Sequence, residues 1–195
     1  MNFESYFSVN MGSVLNPNHA LQESYLVDHC INLTEKNEQG GYDWISQDTY
    51  NTHGTYDLKN DLEFSELNSW ILEQVKVYAQ TLGYHDSFII DNSWFNIYQK
   101  ESYQEKHIHP NSHISAIYYL KCDSSSAKTF FYNPYDDMFR PAIKELNSHN
   151  FSWIYHEAVP GKLVLFRSHV PHMVEKHQSN NLRITLSYNF VQVKV

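Results

Sequence analysis

Cysteine is scarce in this chain, with only Cys30 and Cys122 among 195 residues. Two thiols make no disulfide framework, and a chain of this length closes a hydrophobic core without one. Glycine and proline are sparse too, at six each, which excludes collagen-like and linker-rich architectures. No apolar run reaches the length of a membrane span. Residues 1–12 (MNFESYFSVNMG) lack the basic start and apolar stretch of a secretory signal. No membrane partner is therefore expected, and a reducing cytoplasm is the expected compartment. Positive charge is thin as well: the formal charge is −8, and Lys and Arg form no cluster. Binding a phosphate backbone needs clustered cations, so nucleic acid is the least favoured partner.

The chain is instead rich in aromatics (15 Tyr, 11 Phe, 4 Trp) and holds 12 His. Aromatic enrichment suits a β-rich domain. With that many histidines an H-x-H pair arises by chance about once per chain, so spacing alone proves nothing. Internal repeats and low-complexity tracts are lacking, which makes residues 1–195 one domain. Within it, 1–87 supplies an N-terminal strand and supporting helices, and 88–195 supplies the β core.

Tyr6–Leu15 alternates loosely and ends at Asn16-Pro17-Asn18, a strand running into a turn. His19–Glu35 carries Leu21, Tyr25, Val27 and Ile31 at helical spacing. Segment 36–61 is polar, with Gly40-Gly41 and Gly54, and reads as irregular surface. Phe64–Leu82 is the strongest helix, with Phe64, Leu67, Ile71, Leu72, Val75 and Tyr78 as its apolar stripe and Gly83 as its stop. Strands follow at Ser93–Gln99, His113–Lys121, Thr129–Tyr132, Ser152–Ala158, Lys162–Arg167 and Arg183–Val193. Pro160-Gly161 suits the centre of a type II turn. Helices first and many short strands after predict a β-sandwich or barrel with helices packed on one outer face.

The last strand separates into two faces. Ile184, Leu186, Tyr188 and Phe190 form an apolar face; Arg183, Thr185, Ser187 and Asn189 form a polar one. Inside a sandwich, a polar face implies a wet, functional cavity. Upstream, Glu105-Lys106-His107-Ile108-His109-Pro110 precedes Ser115-Ala116-Ile117-Tyr118-Tyr119-Leu120. In extended backbone His107 and His109 share a face, with Cα atoms roughly 6.5–7 Å apart, close enough for both imidazoles to reach one metal. Further on, Pro160–Ser168 forms a turn and a buried strand, and the loop His169-Val170-Pro171 presents His172.

In order and spacing, these motifs resemble the core of the Fe(II)/2-oxoglutarate dioxygenases. They are similar to prolyl-hydroxylase-like members and to a smaller group of oxygenases whose motif reads H-x-H-P-N-S before a Tyr-Tyr strand. The likeness covers roughly residues 93–190. It implies a double-stranded β-helix (a cupin-like jelly roll) that uses Fe(II), 2-oxoglutarate as cosubstrate, and molecular oxygen. Position by position, it implies His107 and His172 as metal ligands. It implies Arg183, eleven residues past His172, as the partner of the far carboxylate of 2-oxoglutarate. A guanidinium fork suits that role because it binds a carboxylate through two N–H groups. Tyr119 matches a tyrosine that bonds the same carboxylate, and Tyr98 matches another that lines the cosubstrate pocket. Thr185 can add a hydroxyl.

One position departs from the family. The usual site has two His and one carboxylate, and the carboxylate position here holds His109. Three readings stay open: His109 is a third metal ligand; Glu105 or water completes the coordination; or activity is lost. Two rival functions accompany them, a three-His cupin-type dioxygenase that uses no 2-oxoglutarate and a non-catalytic jelly-roll binding module. The expected substrate is a small molecule or a protein side chain. Segments 36–61 and 133–150 are the expected substrate loops, and a homodimer through the helical layer is the one assembly entertained. His53, His85 and His177 receive no role, and His113 or His169 is a candidate only for shaping the substrate mouth.

Overall fold

The structure, a computed structural model, describes residues 1–193 apart from 3, 5 and 136–139; part of the expected 133–150 loop therefore lies outside the described residues. Among the described residues, ten strands form two antiparallel sheets. In chain order the elements are β1 (Met11–Leu15), α1 (His19–Thr34), β2 (Tyr50–Asn51), α2 (Ser65–Thr81), β3 (Phe88–Tyr98), β4 (Gln104–His107), β5 (Ile114–Lys121), β6 (Thr129–Tyr132), β7 (Trp153–His156), β8 (Lys162–Arg167), β9 (His172–Val174) and β10 (Arg183–Gln192). The larger sheet runs β1-β8-β5-β10-β3-β2, and the smaller runs β4-β9-β6-β7. The expected mainly-β, two-sheet fold with helices on one side is what the chain adopts.

Side-chain alternation explains why the helices lie where they do. Ile184, Leu186, Tyr188 and Phe190 of β10, with Ile114, Ala116, Tyr118 and Leu120 of β5, join Leu26, Cys30, Leu67, Ile71 and Val75 from the two helices in one buried cluster. The opposite face of β5 contributes Ile117 and Tyr119, which pack with Val164, Phe166 and Phe131 between the sheets. Each central strand is thus buried on both sides, apolar toward the helices and mixed toward the interior.

Helix α2 follows its expected stripe, burying Leu67, Ile71, Val75 and Tyr78. Its end is a Schellman cap: Tyr84 N–H donates to the Ala79 carbonyl and Gly83 N–H to that of Gln80, both at 2.9 Å. That cap needs a left-handed residue, and Gly83 has φ +76°. The expected face of α1 needs correction. Leu21, Tyr25 and Ile31 are exposed, and the helix instead buries Gln22, Leu26, Val27, Cys30 and Leu33. Polar contacts set this rotation, because Asn16 Nδ2 donates to Gln22 Oε1 (3.0 Å) and to the Tyr118 hydroxyl (3.1 Å), fixing which face meets the sheet.

At Pro160-Gly161, Lys162 N–H donates to the Val159 carbonyl (3.1 Å) and Gly161 has φ +76°, the expected type II turn. The N-terminal strand is shorter than expected and starts only at Met11; β3 is longer and starts at Phe88. Segment 36–61 is less superficial than its polarity suggests. Ser46, Thr49, Asn51 and Thr52 are buried, and Tyr50–Asn51 adds a strand to the edge of β3. Strands β2, β4 and β9, of two to four residues, are too short to carry a readable period.

Candidate metal centre

His107 ends β4 directly opposite His172, the first residue of β9, so their side chains start from adjacent positions. The pairing slips between Gln104 and His107, which places three residues of β4 against two of β9. Such a bulge re-aims the side chain that follows it. His109 lies two residues beyond the strand, tied down by its N–H to the Ser168 carbonyl (3.0 Å). The rings converge: centroids are 4.2 Å apart for His107–His172, 5.0 Å for His107–His109 and 5.1 Å for His109–His172. One nitrogen of each lies within 4.8 Å of the others. Nitrogens about 2.1 Å from a common metal sit about 3.0–3.5 Å apart, so small rotations of the three rings suffice.

Hydrogen bonds orient two of the rings. His107 Nδ1 faces the Glu105 carbonyl (2.7 Å) and His172 Nδ1 faces the Val170 carbonyl (3.0 Å). A carbonyl only accepts, so both Nδ1 atoms carry the proton and both Nε2 atoms offer a lone pair. All three imidazoles are held neutral. Burial lowers the pKa of His107, with a smaller opposing pull from Glu105. Burial and the neighbouring His107 bring His109 to about 3, and burial with both neighbours drives His172 well below its ordinary value. Phe131 stacks on His172, and Phe166 meets its edge, so apolar rings from both sheets cover this imidazole.

Glu105 does not join the cluster. Its carboxylate accepts from Ile45 N–H (2.8 Å), Ser46 N–H (3.3 Å) and the Ser46 hydroxyl (2.6 Å). Burial raises its pKa, and these bonds outweigh that and hold the group below the usual carboxylate range. The reading that made Glu105 the missing ligand meets a carboxylate already engaged. Its work is to pin the loop that brings Trp44 over His107, with the two rings nearly parallel and 6.5 Å apart. His53, given no role from sequence, is also drawn in: it sits between Trp44 (5.4 Å) and Trp94 (4.8 Å), and Trp94 lies 5.8 Å from His109. No local pattern could reveal this aromatic wall, since its members are brought together only by tertiary packing.

The second feature of the pocket is Arg183, which is wholly buried and lines the same interior as the three histidines. Register places it opposite Tyr98, while Thr185 sits opposite Tyr119. The guanidinium carbon is 4.5 Å from the Tyr98 ring and 5.4 Å from the Tyr119 ring. Nη2 donates to Thr129 Oγ1 (3.1 Å), which also accepts from the Tyr119 hydroxyl (2.8 Å). Nε and Nη1 have no hydrogen-bond partner among the described residues. Burial raises the pKa of both tyrosines, with Arg183 opposing, so each remains a neutral phenol. A buried cation with two unpartnered nitrogens is a costly arrangement without an anion.

All seven residues expected from sequence therefore meet around one interior. Thr129, Trp44, Trp94, Gln104 and Asn96 are the neighbours that sequence reasoning missed. Asn189 was visible on the polar face of β10, with no signal that its Nδ2 faces His109 Nδ1 (3.4 Å). His177, given no role from sequence, ties two loops together: Nδ1 accepts from Ala127 N–H (3.1 Å) and Nε2 donates to the Asn181 carbonyl (2.7 Å).

Residues 92–189, half of the chain, match the model of the family described as "Putative 2OG-Fe(II) oxygenase". The chain belongs to this family. The matched stretch of this 2-oxoglutarate-Fe(II) oxygenase spans every residue of the two buried features except the aromatic loop of Trp44 and His53. Among solved structures, it is similar to a Pseudomonas putida prolyl-4-hydroxylase at 16% identity, covering 93% of this chain and 92% of that one, with TM-score 0.62. It is similar to a Trichoplax adhaerens prolyl hydroxylase in complex with a hypoxia inducible factor peptide fragment (13% identity, 93% and 83% covered, TM-score 0.61). The epimerase SnoN, in complex with Fe3+, α-ketoglutarate and nogalamycin RO, aligns over 94% of this chain and 79% of its own, at 10% identity and TM-score 0.67. At these identities the likeness speaks for the double-stranded β-helix fold. No curated protein sequence matches the chain. Among the described residues, no helix is long and apolar enough to cross a membrane.

Proposed function

We propose that this oxygenase holds Fe(II) with His107, His109 and His172 and holds the far carboxylate of 2-oxoglutarate with Arg183, assisted by Tyr98, Tyr119 and Thr185. The observation that carries this reading is a pocket with two unlike sets of binding groups. Three neutral imidazoles gather beside a buried guanidinium that has two nitrogens without a hydrogen-bond partner among the described residues. A ligand that chelates a metal at one end and carries a carboxylate at the other satisfies both. When bound, Fe(II) with 2-oxoglutarate and oxygen supplies the oxidising power to hydroxylate a substrate C–H bond, releasing succinate and carbon dioxide.

The chain's own residues position and protect. Arg183 neutralises the carboxylate in a dry pocket, where a charge-assisted fork is strong. The Tyr119 hydroxyl and Thr129 hold the guanidinium in plane. Phe131 and Phe166 exclude water from the metal side. The loop pinned by Glu105 closes the opposite side with Trp44. This aromatic loop is the substrate-facing wall, and the substrate is a small molecule or a protein side chain. A reducing cytoplasm suits the unpaired Cys30 and Cys122.

His109 also favours a second reading. Three neutral ligands leave the metal one charge more positive than a two-His, one-carboxylate site. A three-His dioxygenase that uses no 2-oxoglutarate would then turn Arg183 to its substrate's own carboxylate. Anaerobic titration with Fe(II) and then 2-oxoglutarate separates the two by visible absorption. A band that requires both additions and is lost in His172→Ala supports the first reading. Metal binding without that band sinks it in favour of the second.

A further inference from the structure

The two edges of the smaller sheet are built differently. At one edge, β4 carries a slip in register and the charged residues Glu105 and Lys106, devices that keep a strand from pairing with another molecule. At the other, β7 pairs with β6 in unbroken register from Trp153 to His156, and among the described residues no strand pairs with its outer side. Residues 151–156 (FSWIYH) include no proline and no Lys, Arg, Asp or Glu. Trp153, Ile154 and Tyr155 are 49%, 37% and 44% exposed, high values for three successive large apolar residues in a strand.

The main chain shows which groups face outward. Asn133 N–H donates to the Ser152 carbonyl (2.8 Å), whereas Tyr132 N–H turns the other way, to the Pro171 carbonyl (2.8 Å). Bonded and non-bonded pairs alternate along an antiparallel ladder. Ile154 and His156 therefore bond to β6, and the N–H and C=O of Trp153 and Tyr155 point away from the sheet. The side chains of these two residues flank Phe130 on the outer face, with ring centroids 5.3 and 5.7 Å from it. Ile154 lies on the inner face, opposite Phe131.

We propose that β7 pairs antiparallel with β7 of a second copy of this chain, about a two-fold axis at Ile154, joining the two four-stranded sheets into one. In that register Trp153 of each copy lies opposite Tyr155 of the other. The two pairs satisfy every outward N–H and C=O of these residues in both copies. A second copy is the occupant that the edge itself selects, because its alternation matches itself. Aromatic meets aromatic on the outer face, Ile154 meets Ile154 on the inner, and no like charges are opposed. Together with Phe151, which is also exposed, β7 offers roughly 400 Å² of open apolar side chain per copy, most of the apolar share of a homodimer interface of about 800 Å² per partner.

Sedimentation of the full chain from micromolar to submillimolar concentration should show a mass rising from one copy to two. Tyr155→Pro removes an outward N–H that β6 does not use, so the monomer keeps its sheet. Each copy loses one donor to the other, and dimerisation should weaken by about 10- to 100-fold. Ile154→Glu and Ile154→Lys each set like charges across the axis, and each should be monomeric alone. Mixed, they should form a dimer of one copy of each. The two charged variants carry the test if circular dichroism shows that the proline variant does not fold. A wild type that stays monomeric leaves the edge to some other strand and overturns the proposal. So does a mixture no more associated than its components. A dimer unchanged by Tyr155→Pro and by both Ile154 substitutions lies on another surface, such as the exposed Leu21 and Ile31 of α1, and overturns it as well.

Discussion

On one side of the interior, three imidazoles crowd together with burial holding them neutral; on another, a buried guanidinium has two nitrogens, Nε and Nη1, without a hydrogen-bond partner among the described residues. The same depth of burial acts on both. It strips the proton from histidine, whose ordinary pKa lies near neutrality, and it cannot strip arginine. Neutral donors suit a metal cation, whereas a stranded cation suits an anion. The pocket thereby presents two unlike sets of groups, and among the described residues no acidic side chain hydrogen-bonds to either.

Removing one ligand should have the largest effect. His172→Ala deletes the most buried imidazole of the cluster and should lower metal affinity by about 100-fold or more, beyond what loss of an orienting group costs. Calorimetry with Fe(II) under argon measures it, and 2-oxoglutarate binding that depends on the metal should vanish with it. Next in size is Arg183→Met, which strikes only the other side. Metal binding should survive, while 2-oxoglutarate binding falls by about 2–5 kcal/mol, the usual consequence of losing one member of a buried charge pair. The same change should raise the melting temperature of the ligand-free protein, because a buried uncompensated cation is replaced by a side chain of similar length. Equal loss of metal and 2-oxoglutarate in this variant would break the division into two sides.

Acid should weaken the metal side selectively. His109, brought down to about 3, and His156, brought to about 4 by burial and Lys162, both have folded values below the ordinary one. Between those values and about 6.5 the unfolded chain binds more protons than the folded one. Stability of the metal-free protein is therefore full above that range and declines as pH falls through it. Thermal melts from pH 7.5 to 5 should show the decline, and His156→Gln should flatten part of it; a melting temperature that rises on acidification contradicts the assignment. The smallest effect is expected from Tyr119→Phe, which removes the hydroxyl shared with Thr129. It should cost about 1 kcal/mol in 2-oxoglutarate affinity, read from the midpoint of the same titration, and leave metal binding unchanged.

Much of this was legible in the chain because it depends on local period. The alternation of β10 told which residues face the helices and which face the interior, and the 3.6-residue stripe of α2 held to its last turn. The family resemblance singled out His107, His172, Arg183, Tyr98 and Tyr119, and Thr185 followed from sharing the Arg183 face of β10. The face of α1 was misread, since its apolar residues spread around the helix and the choice fell to the Asn16–Gln22–Tyr118 bonds. Equally hidden were β4 and β9, too short for a pattern.

Sequence by itself thus determined most strands, the supporting helices and which side chains would gather around one interior, because side-chain alternation and motif spacing act within a few residues. Only the tertiary structure decided that Glu105 holds a loop and not a metal, that Trp44 and His53 wall the site, and that Asn189 faces His109. Those outcomes depend on long-range register, on a one-residue bulge in β4 and on which buried donors meet which acceptors. Burial makes each such pairing obligatory, and nothing in the order of residues states where the partner will be.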